Sequence, residues 1–289
     1  MSESTVERTE YVEFWNDVLA EKFERFRNVL MDGLSYHSEV GLKELYVAPG
    51  SRVLDVGCGW GDTAMQLARR VGADGTVWGL DCCGFFLERA RQEAHREGLS
   101  NVRFIEADVE SYPFPSRFDL CFSRFGMMFF ANPVAAMRNV HRALKPGARL
   151  NFIVWRRIED NPWLGVPKQL VLDFLPKPGA DALTCGPGPF SMANPDVVNA
   201  QLAAAGFEDC VFERIDGPVT VGRSVDQAVA FQLAIGPAGE VFREAGDEAE
   251  RRRTEIVEAL ERELEAHRQP DGSVVMQSSS WTITARKPR

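Results

Sequence analysis

Val53-Leu54-Asp55-Val56-Gly57-Cys58-Gly59-Trp60-Gly61-Asp62 is the stretch on which the fold turns. A short apolar run ends in a turn whose glycines permit close backbone approach, and a helical segment, Asp62–Val71, begins at once. Strand, glycine turn and helix in that order make a cofactor site at the end of a buried strand. The spacing separates the possible cofactors. A dinucleotide fingerprint, Gly-x-Gly-x-x-Gly, needs glycine at position 62, where Asp62 stands, and the third glycine comes one place early. A phosphate-binding loop needs a Gly-Lys-Ser/Thr ending, which is missing.

Working outward, the pattern repeats. Further strands are expected at 76–80, Val102–Glu106, 118–123 and 149–155, with helices at 84–97 and 132–144, the latter closed by Lys145-Pro146-Gly147. Strands alternating with helices at this spacing imply parallel units with right-handed crossovers. Beyond them come a helix at Pro195–Ala205 stopped by Gly206, a strand at 210–215 and an alternating closing strand at 274–285. The expected organisation is a helical cap (1–48), a cofactor-binding core (49–160), a Pro/Gly-rich substrate lid (161–190), the rest of the core sheet (191–223 and 274–286) and a helical insertion (224–273). In the cap, Tyr11, Phe14, Trp15, Val18, Leu19, Phe23, Phe26 and Leu30 follow one helical face, and a second helix is expected at 38–46. Six of the 16 prolines fall between 161 and 190, which argues against a long helix there. In the insertion, Ile256, Leu260 and Leu264 mark an apolar stripe on an otherwise charged, solvated helix.

The formal net charge of −9, with no long basic run, makes nucleic acid a poor partner. Charged side chains through the first 30 residues argue against a secretory signal, and no apolar stretch is long enough for a bilayer. The expected location is cytoplasmic, away from membranes. The six cysteines (58, 82, 83, 121, 185 and 210) include no CxxC pair and read as reduced thiols, so no metal site is expected.

Two acids extend the glycine turn into a row. Asp81 ends the second strand, where a carboxylate can accept both hydroxyls of a ribose, the other reading being a cap for the following helix. Asp108 follows the third strand, where it could receive an adenine amine beside Val109 or merely stabilise a turn. Together these strand ends line one edge of a parallel sheet, the edge at which open α/β folds bind ligands.

Val53 to Gly61, Asp81 and Glu106-Ala107-Asp108 resemble the cofactor motifs of class I S-adenosylmethionine-dependent methyltransferases, in particular the small-molecule type that includes the quinone-biosynthesis enzymes. The residues from Phe118 to Phe130, and from Asn132-Pro133 to Gly147, resemble the fourth motif and the helix and turn after it. The resemblance is specific from about Val53 to Trp155. It implies a Rossmann-like, seven-stranded, mostly parallel α/β sheet with helices on both faces and an antiparallel last strand, and S-adenosyl-L-methionine as cofactor. It also implies that Asp55, Gly57, Cys58 and Gly59 surround the methionine part, that Asp81 holds the ribose, and that Cys82 lies against the adenine or ribose. Asp108 and Val109 would hold the adenine, and Ser123 would close the site. Trp60 and the Cys82-Cys83 pair depart from the usual pattern. The Asn/Asp-Pro-Pro-Tyr motif of amino-methylating nucleic-acid and protein enzymes is absent, which points to a small-molecule acceptor.

Methyl transfer from a sulfonium is an in-line displacement that needs a base only if the acceptor must lose a proton. Of the four histidines, His95 and His267 sit on charged helices and His141 faces away from the cofactor edge, leaving His37 as a candidate base beside Tyr36 in the acceptor pocket. Phe125, Met127, Met128, Phe129 and Trp155 are candidates for an apolar acceptor wall or for core beneath the cap, and Arg124 for an ion pair with an acidic acceptor, Asp108 or Glu106. Three other classes stay open: a cofactor-binding regulatory protein without methyl transfer, a nicotinamide oxidoreductase, and an enzyme using the same cofactor for a different chemistry. The acceptor atom and the oligomeric state stay open too, a homodimer included.

Overall fold

The computed structural model describes residues 10–114, 117–179 and 187–289. Strands β1 (Arg52–Val56), β2 (Thr76–Asp81), β3 (Val102–Glu106), β4 (Phe118–Arg124), β5 (Leu144–Trp155), β6 (Glu208–Gly222) and β7 (Val274–Arg286) form one sheet in the order β3-β2-β1-β4-β5-β7-β6. The first five are parallel, and β7 runs antiparallel to both β5 and β6. Val53, Leu54 and Val56 are fully buried, as a central strand covered by helices on both faces requires. Chain order reverses between β1 and β4, so their carboxyl ends diverge and open a crevice there.

Helices α5 (Asp62–Val71), α6 (Gly84–Arg96), α7 (Pro133–Ala143) and α9 (Pro195–Ala205) lie where the sequence places them. Asn194 caps α9 through the Asp196 amide at 3.0 Å, and Gly206 ends it at φ +99°. Four regions depart from expectation. The N-terminal face is not one helix but α1 (Glu10–Glu13), a π-helical segment (Phe14–Leu19), α2 (Ala20–Arg25) and α3 (Arg27–Gly33), followed by α4 (Ser35–Lys43). Phe14, Trp15, Leu19, Phe26 and Leu30 are buried through these breaks, so packing over the sheet overrides helical regularity. Tyr11's side chain lies outside the described residues.

The second departure is a helix in the proline-rich segment, α8 (Pro162–Leu172). Pro162 occupies its first turn, where an N–H would go unbonded anyway. Pro167 removes the bond to the Trp163 carbonyl, and the buried Gln232 replaces it, donating Nε2–H to that oxygen at 2.8 Å. Residues 180–186 of the expected lid, with Cys185, lie outside the described residues. Third, β6 continues seven residues past Ile215, through Gly217 and Pro218, to Gly222. Pro218 is tolerated because β6 is the sheet's outer strand and one side of its ladder is unpaired. Fourth, β5 starts at Leu144, so Lys145-Pro146-Gly147 lies within the strand rather than after a helix end.

The insertion between β6 and β7 consists of α10 (Val225–Ala234), α11 (Gly236–Glu244), α12 (Asp247–Arg251) and α13 (Arg253–Glu265). Ile256, Leu260 and Leu264 are all fully buried, while exposed pairs such as Arg253–Glu250 (2.7 Å) cover the outer face. Cap, sheet and insertion share one apolar core, from Phe14 through Phe122 to Leu264. Among the described residues no helix is long and apolar enough to cross a membrane.

Candidate active site

The crevice between β1 and β4 opens into one cavity whose two halves differ in chemistry. The first half is built on the glycine turn. Gly57 has φ +65°, and a Cβ there would lie 2.9 Å from the Gly126 Cα, so only glycine lets the turn after β1 meet the turn after β4. Gly61, at φ +77°, packs so close to Phe104 that a Cβ would sit 2.5 Å from the ring. The Gly59 amide donates to Asp81 Oδ2 at 2.8 Å and the Cys83 amide to Oδ1 at 2.9 Å. Asp81 therefore ties the glycine turn to the end of β2, and each oxygen keeps a lone pair for a ligand. Burial pushes its pKa up, against the pull of these amide bonds.

Asp55 is 1% exposed, and neither of its carboxylate oxygens has a hydrogen-bond partner. Burial, reinforced by Asp62 and opposed by Arg124, pushes its pKa well up from the ordinary aspartate value. Unmatched buried carboxylates are costly, and such a group in a cavity wall suits a ligand that brings the missing donor. Asp108 and Val109 line the same half, with Asp108 Oδ1 accepting the Glu110 amide at 2.8 Å. Cys58 and Cys82 line it too, and burial pushes both thiols well up, so neither is a reactive thiolate. Ser123 is fully buried one layer behind, where a Cβ on Gly126 would approach its Oγ to 3.0 Å.

The second half is apolar and largely aromatic. Phe125 sits at φ +56°, a left-handed conformation costing a non-glycine residue about 1–2 kcal/mol. That turn stacks its ring on Trp155 at 4.1 Å and 17°. Met128 and Phe129 follow in a short 3-10 turn, and Trp163, Leu164, Phe231 and Ile235 close the wall from α8 and the insertion. Phe14, Trp15 and Phe23 cover it from the cap, Trp15 meeting Phe129 edge-on at 5.2 Å. Asn16 latches this cap to the β2–α6 turn, donating to the Cys82 carbonyl (3.0 Å) and accepting from the Gly84 amide (3.3 Å). The Trp60 indole N–H donates to Glu24 at 3.0 Å, which gives that unusual residue a docking role.

Ser123 thus lies behind the cavity wall, and three more candidates fall elsewhere than expected. His37 is fully buried behind the acceptor wall, its ring edge-on to Trp155 at 5.2 Å, and is held between Ser278 Oγ (2.6 Å from Nε2) and Ser280 Oγ (2.7 Å from Nδ1). Ser278 donates its own proton to the Gly217 carbonyl at 2.7 Å, so it accepts from Nε2–H, and Nδ1 accepts from Ser280. Burial lowers the pKa of this neutral imidazole to about 4, only partly opposed by Asp216. Both nitrogens are committed, so His37 joins α4 to β7 and has no free atom for an acceptor. Tyr36 is 40% exposed and lies across Gly217 of β6, outside the cavity. Arg124 pairs with neither Asp108 nor Glu106: its Nη2 donates to both oxygens of Asp62, at 2.9 and 2.7 Å. The aromatic residues at 163 and 231 and the charged residues Glu240 and Arg243 join the cavity without any local signal to single them out.

Residues 53–147 match the family model described as a methyltransferase domain. The ubiquinone/menaquinone biosynthesis C-methyltransferase UbiE of Azotobacter vinelandii is 32% identical over 213 residues, covering 70% of this chain and 83% of that protein. The 2-phytyl-1,4-naphtoquinone methyltransferase of Nostoc punctiforme is 34% identical over 147 residues, and the match spans 50% of this chain and 64% of that enzyme's length. Among solved structures, the YcgJ protein of a Bacillus shares the fold at a TM-score of 0.58 and 19% identity, with 88% of this chain and 99% of that one covered. With a cavity whose glycine turn and strand-end acids carry the expected cofactor motifs, and a relative matched over most of its length, the chain belongs to the class I S-adenosylmethionine-dependent methyltransferases.

Proposed function

We propose that the chain transfers the methyl group of S-adenosylmethionine to a flat, apolar small molecule. The observation that carries this reading is the continuity of the cavity, which runs from Asp55, Asp81 and Asp108 into the wall formed by Trp15, Phe125, Trp155, Trp163 and Phe231. The cradle at Gly57 and the unmatched Asp55 carboxylate fit the cofactor's methionine part, Asp81 its ribose, and Asp108 with Val109 its adenine. The cofactor supplies an activated methyl group, and the chain's residues supply placement and exclusion of water. Holding the acceptor against the aromatic wall reduces transfer to an oriented, in-line displacement. Aromatic faces suit a ring system such as those named for the quinone-directed relatives. No histidine lines the cavity among the described residues, so an ionised or intrinsically nucleophilic acceptor suits it better than one needing an imidazole base. The net charge of −9 disfavours nucleic acid as the acceptor.

The reading is tested by calorimetric titration with S-adenosylmethionine, S-adenosylhomocysteine and NAD, followed by labelled methyl transfer to a panel of naphthols and naphthoquinols. Binding of the two sulfur ligands and turnover of at least one aromatic acceptor are expected. Binding of NAD instead would overturn the cofactor assignment. Binding of the sulfur ligands without any turnover would leave a regulatory binding protein.

A further inference from the structure

In the cofactor half of the cavity, four carboxylates face a single cation. Asp55, Asp62, Asp81 and Asp108 all line it, and Arg124 is the only positive side chain among the described residues there, Arg243 belonging to the insertion wall. Arg124 ends β4, Asp62 opens α5 directly after the glycine turn, and the two strands they follow or precede flank the crevice. One nitrogen, Nη2, serves both Asp62 oxygens, while the Arg124 Nε is buried and takes no partner. The guanidinium thus retains donors in its fixed planar fork.

We propose that Asp62 and Arg124 read the zwitterionic head of the cofactor, Arg124 receiving its carboxylate while Asp62 and Asp55 receive its ammonium. This rests on the cofactor reading above. A ligand carboxylate entering a space walled by aspartates finds no favourable partner unless a cation meets it, and Arg124 is the cation lining this half among the described residues. An ion pair already formed within the wall offers both signs at fixed positions, so little reorganisation is needed on binding. The assignment moves Arg124 from the acceptor to the cofactor and leaves the acceptor half with Glu240 and Arg243 as its charged groups.

The experiment is calorimetric binding of S-adenosylhomocysteine, its decarboxylated analogue (which keeps the amine) and 5′-methylthioadenosine (which lacks the whole amino-acid part). The wild-type chain is expected to bind S-adenosylhomocysteine about 10- to 100-fold more tightly than the decarboxylated analogue, the range of a charge-assisted contact. Arg124→Gln is expected to lose that discrimination while holding 5′-methylthioadenosine to within about threefold, a change too small to reflect a lost contact. Discrimination below about threefold in the wild type overturns the proposal. So does equal weakening of all three ligands by Arg124→Gln, which would make the pair a purely structural tie between α5 and β4. Should Arg124→Gln fail to fold, the wild-type ratio decides alone. Failure of the wild type to bind S-adenosylhomocysteine at all would instead bring down the cofactor reading itself.

Discussion

The two halves of the cavity are built in different ways. The cofactor half draws on four short segments, each at a strand end: 55–62, 81–82, 107–109 and 124–126. Its key contacts are backbone ones, such as the Gly59 amide on Asp81 and the approach of Gly57 to Gly126. The acceptor half takes side chains from the cap, the turn after β4, the end of β5, α8 and the insertion, from Phe14 to Arg243. Its walls are interchangeable apolar groups held by distant supports such as Gln232 and His37. A site made of backbone turns tolerates almost no substitution, whereas one made of packed side chains can be reshaped without losing the fold.

The sharpest way to break that contrast is Gly57→Ala. A Cβ 2.9 Å from the Gly126 Cα, on a residue at φ +65°, must push the two turns apart. We expect binding of S-adenosylhomocysteine to fall by roughly 100-fold or more, about 3 kcal/mol, measured by calorimetry. Retention of wild-type affinity would mean the turn does not hold the ligand.

The acceptor half should respond at its supports. His37 has its pKa depressed from 6.5 to about 4 in the folded chain, so the unfolded chain binds the extra proton between those values. Stability from this residue is therefore complete above about pH 6.5 and lost progressively as pH falls towards 4, by about 3 kcal/mol in all. Denaturant unfolding from pH 4 to 7 should show this slope in the wild type, and the difference curve against His37→Asn should isolate it from carboxylate titrations. At pH 7.5 the same variant is expected to lower stability yet keep some methyl transfer, as a tie between α4 and β7 should and a base should not.

Gln232→Ala leaves the Trp163 carbonyl without its donor where Pro167 already denies it a helical partner. We expect a loss of about 1–3 kcal/mol in unfolding free energy. Because Trp163 and Phe231 wall the acceptor half, the KM for an aromatic acceptor should rise while the affinity for S-adenosylhomocysteine stays within about twofold. Equal damage to both ligands would show the halves to be coupled. At the far end of the scale, Arg253→Ala removes an exposed pair with Glu250 on the solvated helix and should change stability by less than about 0.5 kcal/mol.

The same contrast governs what could be read without coordinates. The strand bounds of β1 and β3, the helices α5 and α9 and the acids at 55, 81 and 108 were legible because each depends on neighbours within a few residues: a buried apolar run, a glycine turn, a capping asparagine. The helix at 162–172 was not legible, since its second proline is acceptable only when a glutamine 69 residues ahead of Trp163 supplies the missing bond. The run of β6 through Pro218 likewise depends on the strand's place at the sheet's outer side.

The site divides along the same line. By itself the sequence determined the glycine turn, the row of strand-end acids and hence the kind of cofactor edge, because backbone conformation there follows from residue type. Tertiary structure alone decided that His37 is locked between two serines, that Arg124 turns to Asp62, and that aromatics from five regions meet as one wall. Those outcomes depend on which distant groups come into reach, and a local stretch of sequence contains no record of them.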